Sequence, residues 1–352
     1  MDTLEFGKFQ DIPLSDEFFD SLKKDYKDFA NWYVRKVSEN ASAYIQKTNG
    51  KLTGFMYLKV EDGEVTDVIP MLEPKPRIKI GTFKVEAHGT KLGERLIKKA
   101  FDYAIVKNYE ELYITVFPKH RNLISLLEEF GFAHIGEKKT DDGIENVFIK
   151  SLSHERISGN LRSDYPLIDT RNVKYYLLGI YPKWHSQLFP DSILNTETYD
   201  LLSDTSYTNS ISKTYVSWIA DIKKIKKGDI LIIYRTKEEG KAAEYSSVAT
   251  SICVAEEIRL KADFNNVDDY INYAQPFSVF DSKELKKWWI HTNLSVIKML
   301  YNGALTKRLI RKTLMDDVGL DRESYSGFRG ITKQQLLRIS ELGGVSERLI
   351  VC

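Results

Sequence analysis

Residues 85–108 constrain the fold more than any other stretch: a strand pattern ends in the turn His88-Gly89-Thr90-Lys91-Leu92-Gly93, and an amphipathic helix follows at once. Apolar residues at Leu92, Leu96, Ile97, Ala100, Tyr103 and Ala104 recur at the spacing of one buried helical face, with Glu94, Arg95, Lys98 and Lys99 on the other. The start of such a helix leaves several backbone N–H groups unpaired and aimed at one spot, where phosphate oxygens are stabilised. The stretch is a candidate pyrophosphate cradle. The same pattern also serves an ordinary strand-to-helix connection.

At 352 residues the chain fits two domains, each large enough to bury a core. Its 42% apolar and 29% charged residues are ordinary for a globular protein. No apolar run approaches the roughly 20 residues of a membrane span, and Met1-Asp2-Thr3-Leu4-Glu5 is unlike a secretory signal, so the expectation is a cytoplasmic protein with no membrane contact. Cys253 and Cys352 are the only cysteines, and the six histidines contain no i, i+4 pair; neither a disulfide framework nor a metal site is indicated. A net charge of +1 argues against a strongly basic nucleic-acid binder, but it hides two local runs, Lys223-Lys224-Ile225-Lys226-Lys227 and Lys307-Arg308-Leu309-Ile310-Arg311-Lys312. Each reads either as a solvated face or as a phosphate-contacting patch.

The first part alternates strand and helix signals: a strand at 4–9, helices at 17–24 and 26–37, and a hairpin of 43–47 with 52–60 around Thr48-Asn49-Gly50. Residues 77–85 form the strand that feeds the glycine turn. After the long helix come a strand at 112–117, a short helix at 123–130 capped by Gly131, and a hairpin of 133–139 with 146–152 around Asp141-Asp142-Gly143. Periodicity then lapses. Residues 1–153 read as one domain, 154–172 as a linker and 173–352 as a second domain. The second domain shows strands at 174–181, 230–234 and 247–254, helices at 282–289 and 333–342, and a polar loop at 196–212, the pattern of a small β-barrel with helices.

In its order of elements, with a glycine turn after the fourth strand and Gly131-Phe132 before the last two, the first domain resembles the GNAT acetyltransferase family. In that family Arg/Gln-x-x-Gly-x-Gly/Ala binds the pyrophosphate of acetyl-CoA through backbone amides. Here His88 stands for Arg or Gln, Lys91 for the first glycine, and Gly93 matches. The resemblance implies acetyl-CoA as cofactor, with His88, Gly89, Thr90, Lys91, Leu92 and Gly93 at its pyrophosphate. Lys91 would offset part of the anionic charge. Leu126-Leu127-Glu128-Glu129-Phe130-Gly131-Phe132 resembles the family's Leu-Tyr-Glu-Lys-x-Gly-Phe segment, with Leu127 where many members keep a tyrosine acid and His120 in place of a common Asn. The implied fold is α+β (α/β), a mixed central sheet flanked by helices.

Acetyl transfer to an amine requires a neutral acceptor, a polarised carbonyl and a thiolate that can leave. In the family a bulge in the fourth strand frees an amide for the carbonyl oxygen, which here implies an amide from around Phe83 to Val85, with Phe83 and Val85 as the cofactor-binding candidates. By alignment Glu86 and His88 are the candidate bases, acting directly or through water, and each reads equally as a solvated or phosphate-facing residue. Tyr113 and His120 are substitutes for the missing acid; Tyr113 reads also as a plain strand residue.

Tyr176-Leu177-Leu178-Gly179-Ile180-Tyr181-Pro182, Trp184 to Phe189, and Lys227-Gly228-Asp229 before an apolar strand are similar to an ASCH domain, a branch of the PUA-like barrels. Of the family signature Gly-x-Lys-x-x-Glu-x-Arg only Lys213 is kept; Val216 and Trp218 replace Glu and Arg. The resemblance implies a PUA-like β-barrel that binds RNA, with Lys183, Trp184, Lys213, Trp218 and Tyr181 as a stacking and cationic pocket and Lys223, Lys224, Lys226 and Lys227 at phosphates. Trp184 and Trp218, like Trp288-Trp289, read also as core aromatics.

Together these point to an acetyl-CoA-dependent N-acetyltransferase acting on RNA or an RNA-associated amine: a tRNA base, an aminoacyl-tRNA, or a translation-associated protein. The toxin-like version implies a protein partner such as an antitoxin. Two other readings stay open, a CoA- or nucleotide-sensing RNA-binding regulator without turnover and a small-molecule acetyltransferase with a structural barrel. The sequence sets no oligomeric state.

Overall fold

Strand β1 (Asp2–Lys8), helices α1 (Asp20–Asp25) and α2 (Phe29–Ser38), and strands β2 (Ser42–Thr48) and β3 (Lys51–Glu61) follow in order in the computed structural model, which describes residues 2–86, 92–189, 210–323 and 327–352. Asn49 and Gly50 take left-handed φ of 51° and 82°, the geometry a two-residue hairpin turn needs, and set Thr48 opposite Lys51. Next come β4 (Arg77–Val85), α3 (Leu92–Val106), β5 (Glu111–Val116), α4 (Arg121–Glu129), β6 (Ala133–Thr140), β7 (Gly143–Ser151) and the single turn α5 (Leu161–Asp164). The strands lie in the order β1-β2-β3-β4-β5-β7-β6, antiparallel throughout except for β4 with β5. A parallel pair needs a crossover, which α3 supplies.

Leu92, Leu96, Ile97, Ala100 and Ala104 of α3 are buried as their spacing requires, while Tyr103 is half-buried and Phe101 and Ile105 join the core instead. Glu94, Arg95 and Lys98, expected on a solvated face, are buried too. Long polar side chains can bury their stems when their ends find partners, as Lys98 does with Asp102 at 2.8 Å. On the other side of the sheet an aromatic cluster fixes α1 and α2: Phe55 of β3 meets Phe9 at 5.4 Å and Phe19 at 5.3 Å, edge to face.

The contact pattern divides the chain between Asp164 and Tyr165. The stretch read as a linker is largely built into structure. The Asp164 carboxylate accepts from the N–H groups of Ser158 and Gly159 and from the Ser158 hydroxyl, each at 2.8 Å. Tyr165 and Ile168 are fully buried, and the Tyr165 hydroxyl donates to Tyr301 O at 2.8 Å. Such order comes from side-chain-to-backbone bonds, which leave no periodic signature.

The second unit contains β8 (Ile168–Asp169), β9 (Tyr175–Ile180), α6 (Pro182–Leu188), β10 (Ser212–Ser217), β11 (Ile230–Arg235), α7 (Ala243–Ser246), β12 (Val248–Leu260), α8 (Val267–Ala274) and α9 (Ser282–Trp288). Then follow β13 (Ser295–Ile310), α10 (Arg311–Asp316), β14 (Phe328–Ile331), α11 (Lys333–Leu342) and β15 (Ile350–Val351). Six strands form a mixed sheet in the order β10-β13-β12-β11-β9-β14, and β15 pairs with β8. β12 and β13 are long and bulged at several points, which lets the sheet bend over its apolar face. Sequence reading missed β13, because Lys298, Asn302 and Gly303 interrupt its apolar run; the basic segment 307–312 turns out to straddle its end and α10. The Gly228-Asp229 turn works as its residues suggest. Gly228 takes a φ of 90°, and the buried Asp229 carboxylate accepts from the N–H groups of Lys226 and Lys174 at 2.8 Å. Of the loop expected at 196–212, residues 196–209 lie outside the described residues. No described helix is long and apolar enough to cross a membrane.

Within the first unit, Arg77 at the start of β4 is fully buried and donates from Nε to Glu111 at the start of β5 at 2.8 Å, and from Nη2 to Glu73 O at 2.6 Å. Arg77→Met should cost about 3–5 kcal/mol, because the buried Glu111 carboxylate keeps only the half-exposed Lys75. Adding Glu111→Leu should recover most of the loss. Urea denaturation reads both variants, and an equal loss in the double variant would show that the buried pair is not the source.

Candidate active site

β4 and β5 pair only from Ile78 to Ile80 against Leu112 to Ile114, and then part. Between the diverging ends opens a cavity of about 1120 Å³, walled by residues 83–85 of β4 and Glu86 just beyond it, 114–116 of β5, Gly93 of α3, and Asp25, Tyr26 and Trp32 from the α1–α2 side. Tyr57 pairs with Thr82 and Leu58 with Ile80, so Gly81 is an extra residue and bulges β4. Beyond it, the Glu86 N–H donates to Thr53 O at 3.0 Å. By the alternation of an antiparallel ladder, Lys84 and Thr82 also turn their N–H and C=O to β3. Phe83 and Val85 therefore turn theirs the other way, into the gap that β5 has left.

Leu92 and Gly93 open α3. The Leu92 side chain is buried, so only its backbone could face a ligand. A Cβ on Gly93 would lie 2.6 Å from a Leu126 methyl, so glycine lets α4 lie close against the start of α3. His88, Gly89, Thr90 and Lys91 lie outside the described residues. Glu86 stands at the cavity wall, half-exposed, with its carboxylate 2.8 Å from Lys84 Nζ.

His120 and Tyr113 part company. His120 lines the cavity, 43% exposed at its side chain, with Nε2 3.1 Å from Asp25 Oδ2. Asp25 is mostly buried, and its other oxygen lies 2.5 Å from Lys119 Nζ. An aspartate fixed between a lysine and a histidine holds the imidazole in one orientation. Sequence reading missed Asp25, since nothing local links residues 95 positions apart. Tyr113, by contrast, does not line the cavity. It is fully buried in a cluster with Val65, Val68, Leu72 and Val147, its hydroxyl donates to Glu61, and burial together with that carboxylate pushes its pKa far up. The suggestion that it supplies the acid is withdrawn on that geometry. Leu127 is a core residue, while Leu123 and Leu126 face the cavity.

In the second unit the nucleic-acid candidates fall into two places. Trp184 packs edge to face on Trp288 at 5.4 Å and on Phe280 at 5.7 Å, as a core aromatic does. Lys183 is exposed, lies over the Trp184 ring and pairs with Glu284 at 2.9 Å. Trp218 is 37% exposed and stacks on His291 with centroids 4.4 Å apart. Lys213 does not join them. It is buried, with its ammonium over the rings of Phe189 and Tyr301, so the single pocket expected from the sequence is not formed. Lys223, Lys224, Lys226 and Lys227 are all exposed, anchored by buried Ile222 and Ile225, and Lys224 pairs with Asp221 at 2.9 Å.

If Tyr113 only braces the sheet, Tyr113→Phe should lower stability by about 1–3 kcal/mol through the lost hydrogen bond to the Glu61 carboxylate, which keeps Lys59 at 3.0 Å, and leave the rate of acetyl transfer unchanged. Thermal melts and a thiol-release assay separate the two effects; a large fall in rate would return Tyr113 to the chemistry.

The family model for the acetyltransferase (GNAT) family matches residues 7–132. Among solved structures the chain is similar to an N-acetyltransferase from Staphylococcus aureus Mu50, at 15% identity over 44% of this chain and 99% of that one, with a TM-score of 0.34. It is similar to a GNAT family acetyltransferase from Elizabethkingia anophelis with acetyl-CoA bound, at 16% identity over 40% and 89%, with a TM-score of 0.29. It is also similar to ASCH from Zymomonas mobilis, at 8% identity over 48% and 95%, with a TM-score of 0.33. Structural likeness at this level carries none of the assignment. No curated protein sequence matches the chain. The matched segment runs from β1 to the end of α4 and so contains both strands that part and the helix that crosses between them; residues 7–132 belong to the acetyltransferase (GNAT) family.

Proposed function

We propose that this chain transfers the acetyl group of acetyl-CoA to an amine, and that the amine belongs to RNA or to an RNA-associated molecule. The observation that carries the first half is the parting of β4 from β5 over the cavity, with the backbone of Phe83 and Val85 turned into the gap. That backbone and the start of α3 at Leu92 and Gly93 would hold acetyl-CoA, which supplies an activated thioester when bound. An N–H of Phe83 or Val85 offsets the charge that develops on a carbonyl oxygen, a contribution of about 3 kcal/mol for one donor shielded from water. His120, oriented by Asp25, would take the proton that the acceptor nitrogen loses as its new bond to the acetyl carbon forms and the carbon–sulfur bond of the thioester breaks, with the CoA sulfur leaving as a thiolate that takes up a proton from water. Asp25 then offsets the charge the imidazole gains.

The second half rests on the exposed lysines at 223, 224, 226 and 227, on the exposed Trp218, and on the ASCH-like character of the second unit. Four ammonium groups on one short segment suit a phosphate backbone. An aminoacyl-tRNA, a tRNA base and an RNA-associated protein all offer an amine in such a setting, and the aminoacyl-tRNA version would make the protein toxin-like, with an antitoxin as partner.

The direct experiment is calorimetric titration of acetyl-CoA into the full chain, followed by thiol release with bulk tRNA, with aminoacyl-tRNA and with a panel of simple amines. Binding with release stimulated by RNA supports the proposal; release with amines alone leaves acetyl transfer and removes RNA, and no binding overturns the whole reading. His120→Gln should lower kcat about 100-fold and leave acetyl-CoA affinity unchanged, with a smaller fall for Asp25→Asn; an unchanged kcat would exclude the histidine as base. Replacing Lys223, Lys224, Lys226 and Lys227 by Ala should weaken tRNA binding and flatten its salt dependence, as a filter-binding series in increasing salt would read; an unchanged slope returns the run to a solvated face.

A further inference from the structure

Thr250 is left out of both ladders that flank it. On one side Ile233 pairs with Ser251 and Tyr234 with Ala249; on the other Ser251 pairs with Ala304 and Ala249 with Leu309. A residue bulged out of both neighbours is free to aim its side chain and carbonyl elsewhere, a device found beside binding sites. Three further elements deliver polar groups to it. His185 of α6 places Nε2 2.8 Å from Thr250 Oγ1, and Arg308 of β13 donates from Nη1 to Thr250 O at 3.5 Å. Arg235, the last residue of β11, lies near enough to His185, with Arg308, to act on its charge.

The cluster is incomplete. Arg235 is 8% exposed and His185 only 1%. Glu238 takes Nη2 of Arg235 at 2.6 Å, which leaves Arg235 Nε and Nη1 buried with no hydrogen-bond partner among the described residues. His185 Nδ1 is buried in the same condition. Burial first, then the two guanidinium groups, push the His185 pKa down to about 3, so its ring is neutral as the protein stands. Buried charged donors without partners are costly to a fold, and two of them beside a silenced histidine have the character of a site that lacks an anion.

We propose that Arg235, Arg308 and His185, gathered at the Thr250 bulge, bind an oxyanion of the phosphate class. With Nη2 held by Glu238, the unpartnered Nε and Nη1 of Arg235 point in different directions, so each offers a single charge-assisted hydrogen bond to an oxyanion. An anion there adds negative charge beside the two guanidinium groups that hold His185 neutral, so that His185 gains a proton and donates from Nδ1. Free phosphate, a mononucleotide and the backbone of an RNA share this chemistry. The site is built from residues of the second unit alone and does not depend on the acetyl-transfer reading.

The test titrates inorganic phosphate, AMP and a short oligoribonucleotide into the full chain at constant ionic strength and pH. Calorimetry reads affinity, and the imidazole nitrogen shifts of His185 read its protonation. Saturable binding of phosphate, with the His185 signals moving to those of an imidazolium, is the expected result. Arg235→Lys and Arg308→Lys should each weaken phosphate about tenfold, the loss of one charge-assisted hydrogen bond. Tighter binding of AMP or of the oligoribonucleotide than of phosphate identifies the source of the anion and supports the site. The absence of saturable binding by all three probes, or binding that leaves the His185 nitrogens unmoved, overturns the proposal without recourse to any variant.

Discussion

The active-site half of this protein depends on a three-residue parallel ladder. β4 and β5 are held together at one end by Ile78 to Ile80 against Leu112 to Ile114, with the buried Arg77–Glu111 pair directly beyond it. Clamping one end of two strands while the Gly81 bulge re-aims the other opens the gap between them. Everything that recommends this unit for acetyl transfer, from the turned amides of Phe83 and Val85 to the cavity itself, follows from that separation.

The opposite wall has a different origin. Phe9, Phe19, Phe29, Tyr33 and Phe55 are a continuous set of rings that sets α1 and α2 on the sheet, and the C-terminal residue of α1 is Asp25. Aromatic packing thus determines where the partner of His120 stands, and the His120–Asp25 pair is positioned by rings most of which lie behind the cavity wall. Lys119 and His120 reach the same carboxylate from the loop before α4, so one aspartate ties two segments of the cavity rim together.

Local features were read well from the residues. The Asn49-Gly50 turn, the strand at 77–85 and the helix at 333–342 all come from short-range rules of turn chemistry, alternation and capping. Where the reading went astray, a distant contact had overridden the pattern. Glu94, Arg95 and Lys98 looked like a solvated face and are buried; β13 looked broken at Lys298, Asn302 and Gly303 and is a strand because β10 and β12 pair with it on both sides. Lys213 looked like a member of an aromatic pocket, but every residue of β10 is buried and its ammonium lies over Phe189 and Tyr301.

By itself the sequence determined two globular units, the strand-turn-helix order of the first, its hairpins and the exposed lysine run of the second, because each of these is written in neighbouring residues. Only the tertiary structure decided that Tyr113 braces the sheet while His120 meets Asp25, and that Arg235, His185 and Arg308 converge on Thr250. These groups are brought together by strand registers, bulges and helix packing that join residues far apart in the chain, and no local pattern specifies which face of a strand a long-range pairing will turn toward a cavity.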